Sequence, residues 1–378
     1  MNSDLCKQLG IEFPLFAFSH CRDVVAAVTN AGGMGVFGAA MMPPEELEEE
    51  LSWIDAHVNG KPYGVDLIVP NTFEAKGEDL PDAAILAMLP DGHKDFASDV
   101  LQQHGVEPGD LEPIRADRLV FRKNISSDGA RRSLDVAFSH PIALIANALG
   151  VPPQDMLERG KAHGVAVGAL VGTAEHARAQ VAAGVDLIIA SGGEAGGHTG
   201  EISTMVLVPE VVQAIAGSGV PVLAAGGIAT GGQMAAAMAM GAAGAWCGSV
   251  WLTTAEAETN PVVKEKMLAA SSRDTVRSRS RTGKPSRQLV SAWTEAWEGK
   301  GAPRPLPMPL QTLVSEPALH RIDQMSQKGH VGAQDLATYW VGQGVGLMNQ
   351  AMSASAVVQD FKEDFLTAFE RLGALLED

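Results

Sequence analysis

One run of small residues ends in an imidazole and is the segment best suited to chemistry. Ser191–Gly200 reads SGGEAGGHTG, and its five glycines leave a backbone that can lie flat against a planar ligand. His198 can accept a proton near neutral pH, which suits removal of an acidic C–H beside an electron-poor group. The residues alone leave alternatives open: His198 could instead fix the loop by bonding a carbonyl, and Glu194 could be a second acid or a solvated turn residue.

Two glycine-containing turns later in the chain indicate an anion site. Ala225–Ile228 (AGGI) ends one apolar run just before an expected helix, and Cys247–Ser249 (CGS) ends the next apolar run. Glycine lets a backbone approach a phosphate closely, and the free N–H groups at a helix start attract an anion. The Ser249 hydroxyl adds a donor. The two turns together predict a phosphate cradle.

A repeating unit positions these turns: an Ala-rich helix and a glycine precede each short apolar run. Glycine after a helix is the usual left-handed cap, and helices that alternate with apolar runs predict a parallel sheet. Eight runs predict an α/β fold, a closed (β/α)8 TIM barrel, with an open doubly wound sheet as the alternative. The predicted strands are Pro14–Phe18, Met34–Ala39, Tyr63–Val69, Ile142–Ala148, Ala166–Val171, Asp186–Ala190, Pro221–Ala225 and Ala245–Gly248.

Two regions lie outside the barrel pattern. After strand three comes a long insertion, residues 71–140, which either caps the site or forms a surface contact. After the last strand, helices are expected at Pro261–Ser271, Ala333–Ala351 and Ala356–Leu376. We therefore expect two domains: a barrel over residues 1–255 and a mostly helical C-terminal extension over residues 256–378 that packs on it.

The composition excludes several classes of function. Hydrophobic residues make up 46% of the 378 residues and charged residues 19%, which suits a large core and not a disordered chain. The net charge of −17 argues against nucleic-acid or membrane partners. Cys6, Cys21 and Cys247 are too scattered for a disulfide framework or a zinc site, so we expect no metal and a reducing compartment.

Two stretches bear on localisation. The first ten residues, MNSDLCKQLG, lack the basic and apolar regions of a secretory signal. Residues 211–255 contain no Asp, Glu, Lys or Arg, but nine glycines and Pro221 interrupt them, which favours the buried middle of an α/β domain over a membrane span. A cytoplasmic enzyme is therefore expected.

Four segments together resemble one known family. GGEAGGHTG (Gly192–Gly200) resembles the hallmark segment of the nitronate monooxygenase, or 2-nitropropane dioxygenase-like, family. Pro221–Ser249 looks like the second phosphate-binding stretch of that family, and TNAGGMGVFGA (Thr29–Ala39) matches its early Ala-Gly-Gly turn. RSRTGKPSRQL (Arg279–Leu289) is similar to its Thr-Gly-Arg/Lys-Pro segment beyond the barrel.

The resemblance implies an FMN-dependent oxidoreductase that acts on a small molecule, with the protein supplying position and electrostatics. In the family, the histidine that matches His198 takes the α-proton of an alkyl nitronate; electrons then pass through FMN to O2, and nitrite is released. The positions expected to contact FMN are Ala17, Phe18, Asp66, Ser191, Gly193, Gly196, Gly197, Gly226, Gly227, Cys247, Gly248 and Ser249.

Some of these positions depart from the family pattern. Ala17–His20 (AFSH) stands where a Gln-Ala-Pro-Met-like turn is usual, Asp66 stands in place of asparagine, and Ser191 stands in place of glutamine. An aspartate near the flavin cannot donate a hydrogen bond as an amide does unless it is protonated. His20 is either a second catalytic histidine or a wall of the site.

The run after His198 leaves a second activity open. Thr199–Glu210 resembles FMN-dependent enoyl reductases, in which NAD(P)H reduces FMN and an enoyl thioester or a quinone is then reduced. The co-substrate is thus either O2 or NAD(P)H. The sequence also leaves open whether the protein forms a homodimer. A flavin-binding barrel without turnover is a third hypothesis, which the intact His198 argues against.

Overall fold

Eight parallel strands close into a barrel, as the repeating unit predicts, so the open-sheet alternative is wrong. The computed structural model describes residue 1 and residues 3–40, 42–69, 81–124 and 126–375, without the side chains of 120–124 and 127. The strands are β1 (Leu15–Ser19), β2 (Met34–Gly38), β3 (Gly64–Leu67), β4 (Leu144–Asn147), β5 (Ala166–Val171), β6 (Leu187–Ser191), β7 (Gly197–His198), β8 (Val222–Ala225), β9 (Gly244–Cys247), β10 (Thr275–Ser278) and β11 (Ser286–Leu289). The barrel order is β1-β2-β3-β4-β5-β6-β8-β9.

Helices cover the outside of the barrel and form the insertion and the C-terminal region. They are α1 (Asp4–Leu9), α2 (Arg22–Asn30), α3 (Pro44–His57), α4 (Asp82–Ala87), α5 (Asp91–Gln103), α6 (Glu112–Asn124), α7 (Ser127–Ser139), α8 (Gln154–His163), α9 (Ala174–Ala183), α10 (Thr204–Ala214), α11 (Gly231–Ala239), α12 (Pro261–Ala269), α13 (Ala292–Glu298), α14 (Leu310–Gln327), α15 (Val331–Leu336) and α16 (Ala354–Gly373). Short 3-10 helices span Ser249–Thr253 and Gln343–Leu347. In the described part of the chain, every helix is too short or too polar to cross a lipid bilayer.

Side chains that alternate along each strand separate the barrel interior from its helix-covered exterior. Phe16 lies opposite Met34 and Trp246 in the strand register, and all three belong to the interior cluster. Val65 and Leu67 of β3 pack outward, against the helices. Asp66, which lies between them on β3, therefore faces the interior.

The described part of the insertion, from residue 81 to residue 140, consists of α4, α5, α6 and α7. Helices α5 and α6 pack on α14 of the C-terminal region, and α7 packs on α3 beside the barrel. Residues 70–80, which include the first part of the predicted insertion, lie outside the described residues. The insertion thus joins the barrel to the C-terminal region along one side of the molecule.

The C-terminal region is mostly helical, as expected, and two of its three predicted helices are present as α12 and α16. Helix α16 packs on α11 and α2 of the barrel. The region also contains a β-hairpin that the sequence analysis missed: β10 and β11 form a three-stranded antiparallel sheet with β7, which lies after β6.

The helix predicted at Ala333–Ala351 is wrong. Helix α15 ends at Leu336, and the chain then runs extended through Trp340, which forms a β-bridge with Gln288 of β11. Three glycines in the following VGQGVG sequence disfavour a helix, and the backbone there packs against the loops that follow β6 and β8. This segment, residues 341–346, is called the C-terminal strap below.

Candidate functional site

The short strand β7 carries His198 and is held by the hairpin from the C-terminal region. Strand β11 runs antiparallel to β7, with Ser286 opposite His198 and Arg287 opposite Gly197. The Arg287 guanidinium donates two hydrogen bonds, at 2.9 and 3.2 Å, to the carbonyl oxygen of Gly193. The glycine-rich run is therefore fixed in place by residues far away in the sequence.

The imidazole of His198 is exposed at the barrel mouth and is oriented by one hydrogen bond. Its Nε2 lies 2.8 Å from Oγ1 of Thr282, whereas its Nδ1 has no hydrogen-bond partner among the described residues. The ring of Trp340 flanks it, with 6.2 Å between the centroids. Desolvation, followed by the positive charges of Lys284 and Arg281, lowers the pKa of His198. The imidazole is therefore neutral near pH 7 and can accept a proton.

A buried ion pair lies next to Trp340. The Arg281 side chain is 8% exposed, and its Nε lies 2.7 Å from Oε1 of Glu316. The guanidinium carbon lies 4.2 Å from the ring centroid of Trp340 and 5.3 Å from that of Tyr339, so it makes cation–π contacts with both. A cavity of about 350 Å³ is lined by both members of the pair and by His20 at the end of β1.

The carboxylate of Glu194 caps a helix. Its Oε2 accepts hydrogen bonds from the backbone N–H of Thr204, at 2.8 Å, and from the Thr204 hydroxyl, at 2.9 Å. Thr204 is the first residue of α10, where a negative charge is favourable. Glu194 is therefore neither a solvated turn residue nor a group directed at a ligand.

The turns that follow β8 and β9 have the backbone expected of an anion cradle. Gly226 and Gly227 have φ angles of 103° and 73°, which L side chains rarely adopt, and they lie just before the N-terminus of α11. The Ser249 hydroxyl accepts a 2.8 Å hydrogen bond from the N–H of Gly342, so its own proton remains available to a ligand. The predicted cradle residues are thus brought together.

The C-terminal strap contacts the glycine-rich run directly. A Cβ on Gly196 would lie 2.8 Å from the backbone nitrogen of Gly342, and the N–H of Gln343 donates to the carbonyl oxygen of Glu194 at 2.9 Å. Gly196 is therefore required for the close approach of two backbones. The strap brings the C-terminal region into the site.

Small and polar residues line the barrel interior at the strand ends. Asp66 faces inward from β3, opposite Gly38 of β2 and Ala146 of β4. Its side chain forms no hydrogen bond or ion pair with the described residues, and burial raises its pKa to about 8. Ser191, half-buried at the end of β6, lies opposite Ala225 of the interior cluster.

Two predicted contact residues, Ala17 and Cys247, point away from the barrel interior. They lie opposite each other in the β1–β9 register and belong to the cluster packed under the helices. Burial raises the pKa of the Cys247 thiol, so the side chain is an inert part of the core. Only the backbone of these residues can reach a ligand in the barrel mouth.

Phe18 and His20 form one wall of the barrel mouth. The Phe18 ring lies 6.2 Å from that of Trp246, and His20 packs edge-on against Phe18 at 5.1 Å. Nδ1 of His20 donates to the carbonyl oxygen of Gly38 at 2.6 Å. This bond and the contact with Phe18 hold the ring against the side of the mouth, as expected of a wall, and desolvation lowers the pKa of His20, so the imidazole is neutral.

The family model for nitronate monooxygenases matches residues 3–364, which is nearly the whole chain. The chain belongs to the nitronate monooxygenase family. It is therefore an oxidoreductase of a TIM-barrel family, as its barrel and glycine-rich run indicate.

Two named proteins and one solved structure are similar to this family member over most of its length. The chain is 54% identical to “Putative monooxygenase Rv1533” of Mycobacterium tuberculosis, over 100% of both chains. It is 30% identical to a 5-hydroxy-7a-methyl-1-oxo-octahydro-1H-indene-4-carboxyl-CoA dehydrogenase of the same organism, over 79% of this chain and 69% of that one. The solved structure of a nitroalkane oxidase from Streptomyces ansochromogenes is 25% identical with a TM-score of 0.78, covering 98% of this chain and 100% of that one.

The sequence analysis of this family member did not place in the site the residues that support His198. Thr282, Arg281, Trp340 and the strap all come from the C-terminal region, which the sequence predicts to be a mostly helical extension. The resemblance of Arg279–Leu289 to the family segment beyond the barrel is a signal for part of this set, because the segment contains Arg281 and Thr282. Nothing in the sequence marked Trp340.

Proposed function

We propose that the chain is an FMN-dependent nitronate monooxygenase that uses O2 and has His198 as its base. The observation that carries this proposal is the exposed imidazole whose Nδ1 is unpartnered and whose pKa is lowered. A neutral, positioned imidazole at the mouth of a barrel is suited to general-base catalysis. The similarity to a nitroalkane oxidase supports the same chemistry.

The residues at the strand ends fit FMN. The backbone N–H groups of Gly226 and Gly227, the start of α11 and the Ser249 hydroxyl would hold the phosphate. Asp66 and Ser191 would meet the polar edge of the flavin ring inside the barrel. When bound, FMN would supply the transfer of electrons from substrate to O2.

The residues around His198 would prepare it for proton transfer. Thr282 holds Nε2, which leaves Nδ1 as the nitrogen that accepts a proton from the carbon bearing the nitro group. Desolvation, with the positive charges of Lys284 and Arg281, keeps the imidazole neutral before that step, because each disfavours the protonated form. The proton then leaves Nδ1 to water at the exposed barrel mouth.

Anaerobic spectroscopy of the purified protein tests this function. We expect FMN-loaded protein to be bleached by a prepared alkyl nitronate and not by NADH or NADPH. With a neutral nitroalkane, which must lose its α-proton in the site, His198→Asn is expected to react about 10²–10⁴-fold more slowly than wild type. The prepared nitronate should restore part of this difference. Protein that cannot bind FMN, or His198→Asn with the wild-type rate on nitroalkane, would contradict the proposal.

A second candidate is an NAD(P)H-dependent reductase of an enoyl thioester or a quinone. It is favoured by the similarity to a CoA-thioester dehydrogenase, which spans most of both chains. Rapid bleaching by NADH or NADPH in the same anaerobic cuvette, with no response to nitronate, would select this function instead.

A further inference from the structure

One carboxyl group in the barrel has no partner. Asp66 is 2% exposed and lies on the inner face of β3, because its neighbours Val65 and Leu67 pack outward under the helices. No hydrogen bond or ion pair joins its side chain to any residue that the structure describes. Buried polar groups are almost always hydrogen-bonded, so an unpaired one needs an explanation.

The residues opposite this carboxyl group on the neighbouring strands are small and apolar. Its register partners are Gly38 and Ala146, which offer no polar side chain and fill little volume. An ionised carboxylate without a hydrogen bond is strongly disfavoured in such a place, whereas the neutral acid is tolerated. Burial alone raises the pKa of Asp66 to about 8, with no contribution from a neighbouring charge.

The titratable groups on the surrounding elements do not supply the missing charge. At the end of β1, His20 is tied through Nδ1 to the carbonyl oxygen of Gly38, and desolvation lowers its pKa, so it is neutral at pH 7. Across the barrel, His198 is neutral for the reasons given above and bonded to Thr282. On β9, Cys247 faces the outer cluster. Within the described residues, no cation compensates an ionised Asp66.

We propose that Asp66 is a neutral carboxylic acid that donates its O–H to an acceptor atom of the flavin ring, so that flavin binding requires a proton at Asp66. The inference rests on the proposed function, because FMN is the ligand that it needs. A protonated carboxyl group has one O–H donor, and flavin carbonyl oxygens and the unprotonated ring nitrogens can accept it. Ionisation of Asp66 removes this donor and leaves a buried negative charge against the electron-rich ring edge.

The affinity for FMN should therefore fall as pH rises. The acid form of Asp66 predominates below its pKa, so the dissociation constant should be flat at low pH and rise once the group ionises. Because Asp66 is half ionised near its pKa of about 8, the affinity for FMN should weaken about tenfold between pH 7 and pH 9. Asp66→Asn is nearly isosteric and donates through its amide at every pH, so it is the matched control.

The test is a titration of flavin-free protein with FMN, followed by flavin fluorescence from about pH 6.5 to pH 9.5, a range that spans the ionisation of Asp66. We expect the ratio of wild-type to Asp66→Asn dissociation constants to rise about tenfold from pH 7 to pH 9. Taking the ratio cancels any titration of FMN itself, and thermal melting at each pH confirms that both proteins are folded.

Three results would overturn the inference, and two of them leave the proposed function intact. Wild-type protein that binds FMN with the same affinity at pH 7 and pH 9 rejects the inference and leaves the proposed function intact. Parallel pH profiles in wild type and Asp66→Asn have the same meaning, because the dependence then arises elsewhere. Wild-type protein that binds no FMN at any pH rejects the inference and the proposed function together.

Discussion

Nε2 of His198 lies 2.8 Å from the hydroxyl oxygen of Thr282, and this contact decides which imidazole nitrogen faces the site. The same hydroxyl oxygen lies 3.3 Å from both the carbonyl oxygen and the amide nitrogen of Lys284. The Lys284 carbonyl can only accept, so a Thr282 hydroxyl that donates to it must receive its hydrogen bond from an Nε2–H group. In this arrangement Nε2 carries the proton, and Nδ1 is the basic nitrogen that the proposed function requires.

Replacing Thr282 should weaken proton abstraction without abolishing it. Thr282→Val removes the hydroxyl at constant volume, and the loss of one orienting hydrogen bond should lower kcat/KM for a nitroalkane about tenfold. The imidazolium form of His198 also loses its acceptor, so its pKa should fall further and the acid limb of the pH–rate profile should move to lower pH. Steady-state kinetics across pH measures both effects.

Thr282→Ser is the control for this prediction, because it keeps the hydroxyl and removes only a methyl group. It should retain near wild-type kcat/KM and an unmoved acid limb. A Thr282→Val enzyme with both parameters unchanged would show that the hydrogen bond does not position His198. Equal losses in the Val and Ser variants would instead assign the effect to packing.

The charge of Lys284 should be visible in the pH dependence of the reaction. His198 acts as a base only when neutral, so activity is lost as pH falls through its pKa. Because Lys284 lowers that pKa, Lys284→Gln should raise it toward the ordinary value of 6.5 and move the acid limb to higher pH. Lys300→Gln, at an exposed lysine with no effect on His198, should leave the limb in place. An acid limb that moves in neither variant would contradict this account.

The barrel could be predicted because its signals are local. Gly164 and Gly184 follow α8 and α9 with φ angles of 68° and 97°, as expected of left-handed caps, and the apolar runs after them are strands. The positions of the glycine turns after β8 and β9 could be predicted for the same reason, since each lies directly after an apolar run. Pattern and structure agree wherever the contacts that decide the fold lie close in the sequence.

The elements of the C-terminal region that support His198 could not be predicted, because their contacts join residues that are distant in the sequence. Strand β10 has four residues, TVRS, with one apolar side chain, and its pairing with β11 and then with β7 has no local signal. Helix α14 was missed because Pro317 lies inside it, yet it supplies Glu316 to Arg281. The helix expected at Ala333–Ala351 failed because tertiary contacts of the strap override a weak local pattern.

Gly196 should be intolerant of even a methyl group. A Cβ at this position would lie 2.8 Å from the backbone nitrogen of Gly342, and neither backbone can move without disturbing the glycine-rich run or the strap. We expect Gly196→Ala to lower the free energy of unfolding by about 1–3 kcal/mol, as measured by urea denaturation. Gly92→Ala, at an exposed helical glycine with nothing within 4 Å of the added carbon, should be neutral or stabilise by up to about 1 kcal/mol. Equal effects at the two positions would disprove the close approach.

The side chains of Arg281 and Glu316 should show a large coupling energy, because their ion pair is largely removed from water. Their side chains are 8% and 13% exposed, and removing Arg281 leaves the Glu316 carboxylate largely buried, with Arg118 at 4.0 Å as its remaining cationic partner. Arg281→Met should therefore lower the free energy of unfolding by about 3 kcal/mol, and adding Glu316→Leu should recover part of that loss.

A double-mutant cycle on this pair, measured by urea denaturation, isolates its coupling from the packing of Arg281 on Trp340 and Tyr339. We expect a coupling energy above about 1 kcal/mol, because desolvation strengthens the attraction and exposed pairs fall below that value. The matched control is the cycle for Arg131 and Asp128, whose side chains are 63% and 72% exposed at 3.1 Å, and which should couple by less than about 1 kcal/mol. If both cycles gave the same small coupling, the buried pair would not be what holds α14 against the site, and the cation–π contacts with Trp340 and Tyr339 would be left as the main restraint on Arg281.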